Sequence, residues 1–150
     1  MKRAQTGIIL ILSAIILLSC SKEKQIARRL EGMWQVDIYQ KSVYGNGSPV
    51  ITESGSAGNA GSFEFFSNGE GQYNIIKDLG DNMYYGDDEF LWTNTSETIS
   101  IRTNSGLTKK FDVVENKTDK MIFERSQVYY FSDGEQGVSY TMDERITLVK

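Results

Sequence analysis

The chain has 150 residues with 16 basic and 20 acidic side chains, and its formal net charge is −4 at pH 7. It contains no histidine and one cysteine, so it lacks the commonest general base and metal ligand and cannot form an internal disulfide. The acidic balance, without a basic cluster, argues against nucleic acid as a partner. We therefore expect no enzyme, no metal site and no cofactor, and a fold that rests on its hydrophobic core.

Residues 1–19 have the layout of a signal peptide. Lys2 and Arg3 form a basic start, and the apolar run over 7–18 is shorter than the roughly 20 residues that a membrane-spanning helix needs. The segment Leu17-Leu18-Ser19-Cys20 resembles the lipobox of bacterial lipoproteins. This resemblance implies cleavage before Cys20 and a lipid anchor on that cysteine. An ordinary secretory signal and an uncleaved membrane helix stay open as alternatives.

The residues after Cys20 bear on where such a lipoprotein would lie. Ser21 stands where proteobacterial lipoproteins retained at the inner membrane carry Asp, which favours the outer membrane. The charges of the next three residues, 22–24, are mixed and do not choose between the periplasmic face and the cell surface. We expect a cell-envelope protein held on a membrane through Cys20.

The mature chain is expected to form one domain, because removing residues 1–19 leaves 150 − 19 = 131 residues. Residues 20–29 are predicted to be a lipidated tether with a short helix, since Ile26 and Leu30 lie four apart among good helix formers. Gly32 is expected to end this helix. The β-rich domain is then predicted over residues 30–150.

From Met33 onwards apolar and polar residues alternate with a period of two, which indicates β-strands. Turn residues separate the alternating runs, as in the Asn68-Gly69 hairpin signal. The predicted strands cover 33–39, 63–66, 72–77, 89–93, 98–103, 109–115, 120–125, 128–131 and 138–149. Evenly spaced strands predict an all-β barrel or sandwich, and sequential short connections favour an antiparallel up-and-down barrel of about eight strands.

A stretch rich in glycine interrupts this pattern between Gly45 and Gly61. It contains five glycines and the only proline, Pro49. We predict a long loop here, with a short strand near residues 50–52 as an option. Long loops in compact domains are often lids or binding loops and are otherwise disordered, and both outcomes stay open.

The segment Leu30-Glu31-Gly32-Met33-Trp34 resembles the opening of lipocalins and of the lipocalin-like lipoproteins of Bacteroidota. In that family a Gly-x-Trp motif follows a short helical turn and begins the first strand. The resemblance implies that Gly32 and Trp34 close the bottom of a barrel, with an arginine near the last strand packed on the indole. Arg145 is our first candidate for this arginine and Arg125 the second, while a surface arginine without such a role is a third possibility.

The barrel interior carries the functional prediction. Bulky inward candidates could fill it completely or leave space for one small ligand. These candidates are Trp34, Val36, Ile38, Phe63, Phe65, Tyr73, Ile75, Ile99, Ile101, Phe111, Val113, Met121, Phe123, Tyr140 and Met142.

The lipocalin resemblance implies binding of a small apolar or amphipathic molecule at the open end, beneath the loop from Gly45 to Gly61. Aromatic residues would line the entrance to that site. We expect them to be Tyr44, Tyr84, Tyr85 and Trp92. The alternative is a filled barrel that acts as an envelope structural or interaction module, with another envelope protein as its partner.

Overall fold

A single helix precedes eight β-strands in the computed structural model of the chain, which describes residues 22–45, 51–77, 85–133 and 136–150. For 51–53, 131–133 and 136–138 it describes the backbone alone. The helix, α1, covers 22–30. The strands are β1 Gly32–Gly45, β2 Ile51–Phe65, β3 Glu70–Ile75, β4 Gly86–Asn94, β5 Thr98–Thr103, β6 Thr108–Asn116, β7 Lys120–Asp133 and β8 Gln136–Val149. The signal segment, Cys20 and Tyr84 lie outside the described residues.

The strands form a closed antiparallel barrel in sequence order. Each strand pairs with the next, and β8 closes the barrel by pairing with β1 from Gln35↔Val149 to Gly45↔Tyr140. Tight turns such as the one at Gly69, whose φ is 86°, let neighbours in sequence become neighbours in the sheet. The predicted all-β, eight-stranded up-and-down barrel and the short helix before it are confirmed.

The two ends of the barrel differ. The connections β2–β3, β4–β5 and β6–β7 lie beside α1 at one end, which we call the closed end, and the other connections lie at the open end. Strands β1, β2, β7 and β8 have 14 or 15 residues, whereas β3 to β6 have 6 to 9. The four long strands are adjacent in the barrel and therefore extend beyond the four short strands at the open end.

The loop predicted from Gly45 to Gly61 is wrong for residues 51–61, because β2 already begins at Ile51, and residues 46–50 lie outside the described part of the chain. Its small residues lie opposite large side chains of β1, with Ala57 facing Tyr39 and Gly55 facing Lys41. Glycine in a strand often marks a bend or a close approach of another backbone. The glycine and alanine residues of β2 thus make room for large side chains of β1 inside the barrel.

A β-bulge in β1 reverses the alternation that the sequence predicts. The register with both β2 and β8 shifts between Val36 and Ile38. An extra residue in a strand moves every later side chain to the opposite face. Ile38 was predicted to face inward but is 37% exposed, whereas Tyr39 is only 3% exposed. The bulge therefore places Tyr39 and Lys41 inside the barrel.

Candidate functional site

The closed half of the barrel is filled by side chains. Phe65 lies at its centre, with ring centroids 5.3 Å from Phe90 and 5.6 Å from Trp92 in edge-to-face contacts. Most of the predicted core residues are buried there together with Phe90, which the sequence analysis did not include. This half of the interior is packed core and offers no space for a ligand.

Helix α1 covers the closed end. Ile26 and Leu30 are buried against the core, and the Trp34 indole Nε1 donates a 2.7 Å hydrogen bond to the Leu30 carbonyl oxygen. The Asn94 side chain donates to the Glu23 carbonyl oxygen at 2.9 Å. Gly32, with φ 101°, makes the turn from the helix into β1. Trp34 is fully buried at this end, where the Gly-x-Trp motif was expected to lie.

The cation over Trp34 is Lys150, and the prediction of Arg145 was wrong. Lys150 Nζ lies 4.6 Å from the indole centroid and donates to the carbonyl oxygens of Arg29 and Glu31, both at 3.2 Å. Arg145 instead forms an exposed ion pair with Glu124. Side chains alternate along β8, so Arg145 points outward because its two neighbours point inward.

Arg125, the second candidate for that role, points into the barrel but at a different level. Its Nη1 lies 3.0 Å from Glu144 Oε2, and both side chains are almost fully buried. Lys109 on β6 and Lys41 on β1 are also buried nearby. We call Lys41, Lys109, Arg125 and Glu144 the interior charge cluster.

Glu144 is the centre of this cluster. Its Oε1 accepts hydrogen bonds from Tyr39 Oη at 2.8 Å and from Lys109 Nζ at 2.6 Å. The Glu144 Oε2 and Arg125 Nη1 atoms are within ion-pair distance, but neither has a hydrogen bond in the described structure. Arg125 also donates through Nη2 to the Tyr129 hydroxyl at 2.7 Å. Four strands, β1, β6, β7 and β8, thus meet at one carboxylate.

The cluster holds more positive than negative charge. Glu144 is the only buried acidic residue in the part of the chain that the structure describes, whereas three basic side chains surround it. Burial, aided by the charges of Arg125 and Lys41, lowers the pKa of Lys109 to about 8 against the opposing effect of Glu144. Buried charge without full compensation is costly and is often associated with a binding or catalytic site.

Sequence reasoning missed this cluster for a specific reason. Charged residues also occur on the outer face of the strands that contain Lys41, Lys109 and Glu144. The residue type alone therefore does not show which charged side chains point into the barrel. For Lys41 the bulge before Ile38 decides the direction. On β8, the alternation with Ile146 and Leu148 could have indicated that Glu144 faces inward.

The predicted entrance residues do not form one group. Tyr44, half-buried at the end of β1, and Tyr85, exposed before β4, both lie at the open end. Trp92 is near the other end of β4 and is buried, with its Nε1 donating to the carbonyl oxygens of Phe66 at 3.2 Å and Glu70 at 2.9 Å. The prediction that Trp92 lines an entrance was therefore wrong, and Trp92 belongs to the closed-end core.

A scan against known protein families and a search of curated proteins find no match to the chain. Within the described ranges, no helix is long and apolar enough to cross a membrane. The same part of the chain contains no group of three acidic or cysteine side chains placed to hold a metal ion.

Proposed function

We propose that the chain is a membrane-anchored, lipocalin-like lipoprotein of the bacterial cell envelope that carries a small amphipathic molecule in the open half of its barrel. The observation that carries this proposal is the division of the interior. The closed half is packed with aromatic and aliphatic side chains, while the interior charge cluster lies next to it on the side of the open end. A barrel used only as a structural element would gain stability from an apolar filling throughout.

The position of the helix supports an orientation for such a protein. Lys22, the first residue of α1, is two residues after Cys20, so a lipid on that cysteine would lie within about 7 Å of the helix start. Helix α1 packs on the closed end. A lipid anchor there would direct the closed end to the membrane and leave the open end accessible from the aqueous side.

Native mass spectrometry tests the carrier proposal. We expect the full-length protein, purified from its own envelope, to retain a bound molecule as added mass beyond the lipid on Cys20. The matched control for the anchor replaces residues 1–20 by a secretory signal that is cut without lipidation, and we expect this variant to leave the membrane fraction while keeping the bound molecule. A wild-type protein that never carries added mass would contradict the carrier proposal.

A second candidate function is an interaction module without a small ligand. The outer face of β7 favours it, since Val128 is 45% exposed and Tyr130 is 82% exposed on neighbouring outward positions. Exposed aromatic residues are enriched at protein interfaces. Cross-linking to an envelope protein that is lost in Tyr130→Ser, in a protein free of added mass, would support this alternative.

A further inference from the structure

The four charged side chains that the structure describes inside the barrel do not balance one another. Glu144 offers one negative charge, and it accepts hydrogen bonds from Tyr39 and Lys109 and forms an ion pair with Arg125. Lys41 is only 7% exposed and has no hydrogen-bond or ion-pair partner among the residues that the structure describes. Taken together, the interior charge cluster has three positive groups for one carboxylate.

The strand register places Lys41 beside small residues of β2. It lies directly opposite Glu144 on β8 and opposite Gly55 on β2. The neighbouring inward position on β2 is Ala57, so two small residues in succession flank the Lys41 side chain. A larger residue at either position would take up the volume beside the ammonium group.

The level above the cluster is apolar. Val43 on β1 pairs with Met142 on β8, one inward step towards the open end from Lys41 and Glu144. Both side chains are only partly buried. Below the cluster the core is closed by Phe111 and Phe123. A molecule bound at the cluster could therefore extend only towards the open end.

We propose that the interior charge cluster binds the carboxylate or phosphate headgroup of an amphipathic ligand, whose apolar chain passes Val43 and Met142 towards the open end. This proposal rests on the carrier function and names the class of its ligand. Lys41 and Arg125 Nη1 donate hydrogen bonds to the anionic oxygens. Glu144 acts as a positioning residue that holds the Lys109 and Arg125 side chains inside the barrel near the anion.

Electrostatics gives the reason that an anion fits and a cation does not. A monoanion reduces the positive excess of the cluster and supplies an acceptor for Lys41, which has none in the described structure. Hydrogen bonds between charged groups are stronger than those between neutral ones. A neutral alcohol of the same length would neither reduce the positive excess nor accept a hydrogen bond between two charged groups.

Calorimetric titration of the full-length protein in phosphatidylcholine nanodiscs tests this proposal, with empty nanodiscs subtracted. The probes are octanoate, octyl phosphate, octanol and octyltrimethylammonium. We expect the two anions to bind and the two other probes to bind at least about tenfold more weakly, as the loss of charged hydrogen bonds implies. The stronger of the two anions identifies the headgroup as a carboxylate or a phosphate.

Two variants make the test specific to the cluster. Lys41→Met removes no described hydrogen bond or ion pair of the folded protein, so we expect it to fold normally and to weaken anion binding about tenfold or more. Lys110→Met is the matched control, because Lys110 is the exposed neighbour of Lys109 on β6, and we expect unchanged affinity.

The outcomes separate this proposal from the carrier function. Equal binding of octanol and octanoate, or unchanged octanoate binding in Lys41→Met, would overturn the anionic headgroup while keeping the carrier. No binding of any probe, together with no added mass on the native protein, would overturn both.

Discussion

Lys41 and Glu144 lie directly opposite each other on adjacent strands, yet the described bonds of the carboxylate go to other residues. Oppositely charged cross-strand neighbours commonly pair with each other. Here Tyr39 and Lys109 donate hydrogen bonds to Oε1, and Arg125 lies within ion-pair distance of Oε2. The ammonium group of Lys41 is thereby left available inside the barrel, and the ligand proposal follows from this arrangement.

Replacing the central carboxylate should destabilise the protein strongly. Glu144→Gln leaves three buried basic groups without a counter-charge, and we expect a loss of about 3 to 5 kcal/mol in the free energy of unfolding. Urea denaturation measures this loss. Glu124→Gln is the control, since its pair with Arg145 is exposed and such pairs contribute about 1 kcal/mol or less. Equal losses in the two variants would contradict the role assigned to Glu144.

The ionisation of Lys109 should respond to its neighbours. Its pKa is lowered to about 8 by burial and by the charges of Arg125 and Lys41, and Glu144 opposes this shift. We expect Lys41→Met to raise this pKa, because one nearby positive charge is removed. Titration of ¹³C-labelled lysine by NMR measures it. A pKa near 10.5 in the wild type would contradict the buried position of Lys109.

The same pKa sets a pH dependence for stability and binding. The folded state holds the Lys109 proton less tightly than the unfolded chain, so between about pH 8 and 10.5 the unfolded chain binds more protons. The contribution of Lys109 to the free energy of unfolding therefore rises with pH across this interval. Octanoate affinity should fall as the pH passes about 8, because the neutral amine no longer attracts the anion. In Lys109→Met we expect neither the rise of the unfolding free energy between about pH 8 and 10.5 nor the fall of octanoate affinity above about pH 8.

Gly61 should tolerate no side chain. Its φ is 137°, and a Cβ atom there would meet the Asn74 carbonyl oxygen and lie 2.8 Å from Ile75 Cα on β3. Backbone cannot move aside as a flexible side chain can, so we expect Gly61→Ala to cost about 2 to 5 kcal/mol. Thermal denaturation measures the cost.

Gly58→Ala is the matched control on the same strand. Its Cβ would make an ordinary contact of 3.6 Å with the Asp37 carbonyl oxygen, and its backbone is not in the left-handed region. We expect a change within about 1 kcal/mol. A similar destabilisation in both variants would show that the close approach of β3 at Gly61 is not the cause.

Lys150 should hold helix α1 on the closed end. Lys150→Met removes a cation–π contact worth about 0.5 to 2 kcal/mol and two hydrogen bonds to carbonyl oxygens near the helix end. We expect faster amide hydrogen exchange in residues 22–30. Arg145→Met serves as the comparison and should leave that exchange unchanged. If Arg145→Met accelerates the exchange equally, Lys150 is not the residue that secures Trp34 and the helix.

The barrel could be predicted from sequence because its strands pair with their neighbours in the chain and each strand and turn has a local sequence pattern. Period-two alternation and turns such as Asn68-Gly69 fix strand pairing between neighbours in the chain, and β5 was predicted with its observed bounds, Thr98–Thr103. The prediction failed at β2, where glycine and alanine serve packing against β1 across the sheet. This packing depends on the side chains of β1, so the sequence of β2 alone does not indicate it.

The candidate site was predicted only in part. The closed end around Trp34 was expected from its motif, but the choice of Arg145 ignored the alternation along β8, which turns that side chain outward. The charge cluster depends on the bulge near Asp37, which reverses the face of Tyr39 and Lys41. A bulge arises from register with both neighbouring strands, so residues within one strand do not reveal it. Tyr84 lies outside the described residues and stays a prediction.

The central claim is that an anion lies beside Lys41 inside the barrel. Chemical-shift mapping of full-length protein with [ε-¹³C]lysine in phosphatidylcholine nanodiscs, during addition of octanoate, tests it most directly. We predict large shifts for Lys41 and Lys109 and none for Lys110, whose side chain is exposed on the outer face. Shifts confined to exposed lysines, or none at Lys41 at saturating octanoate, would contradict the account.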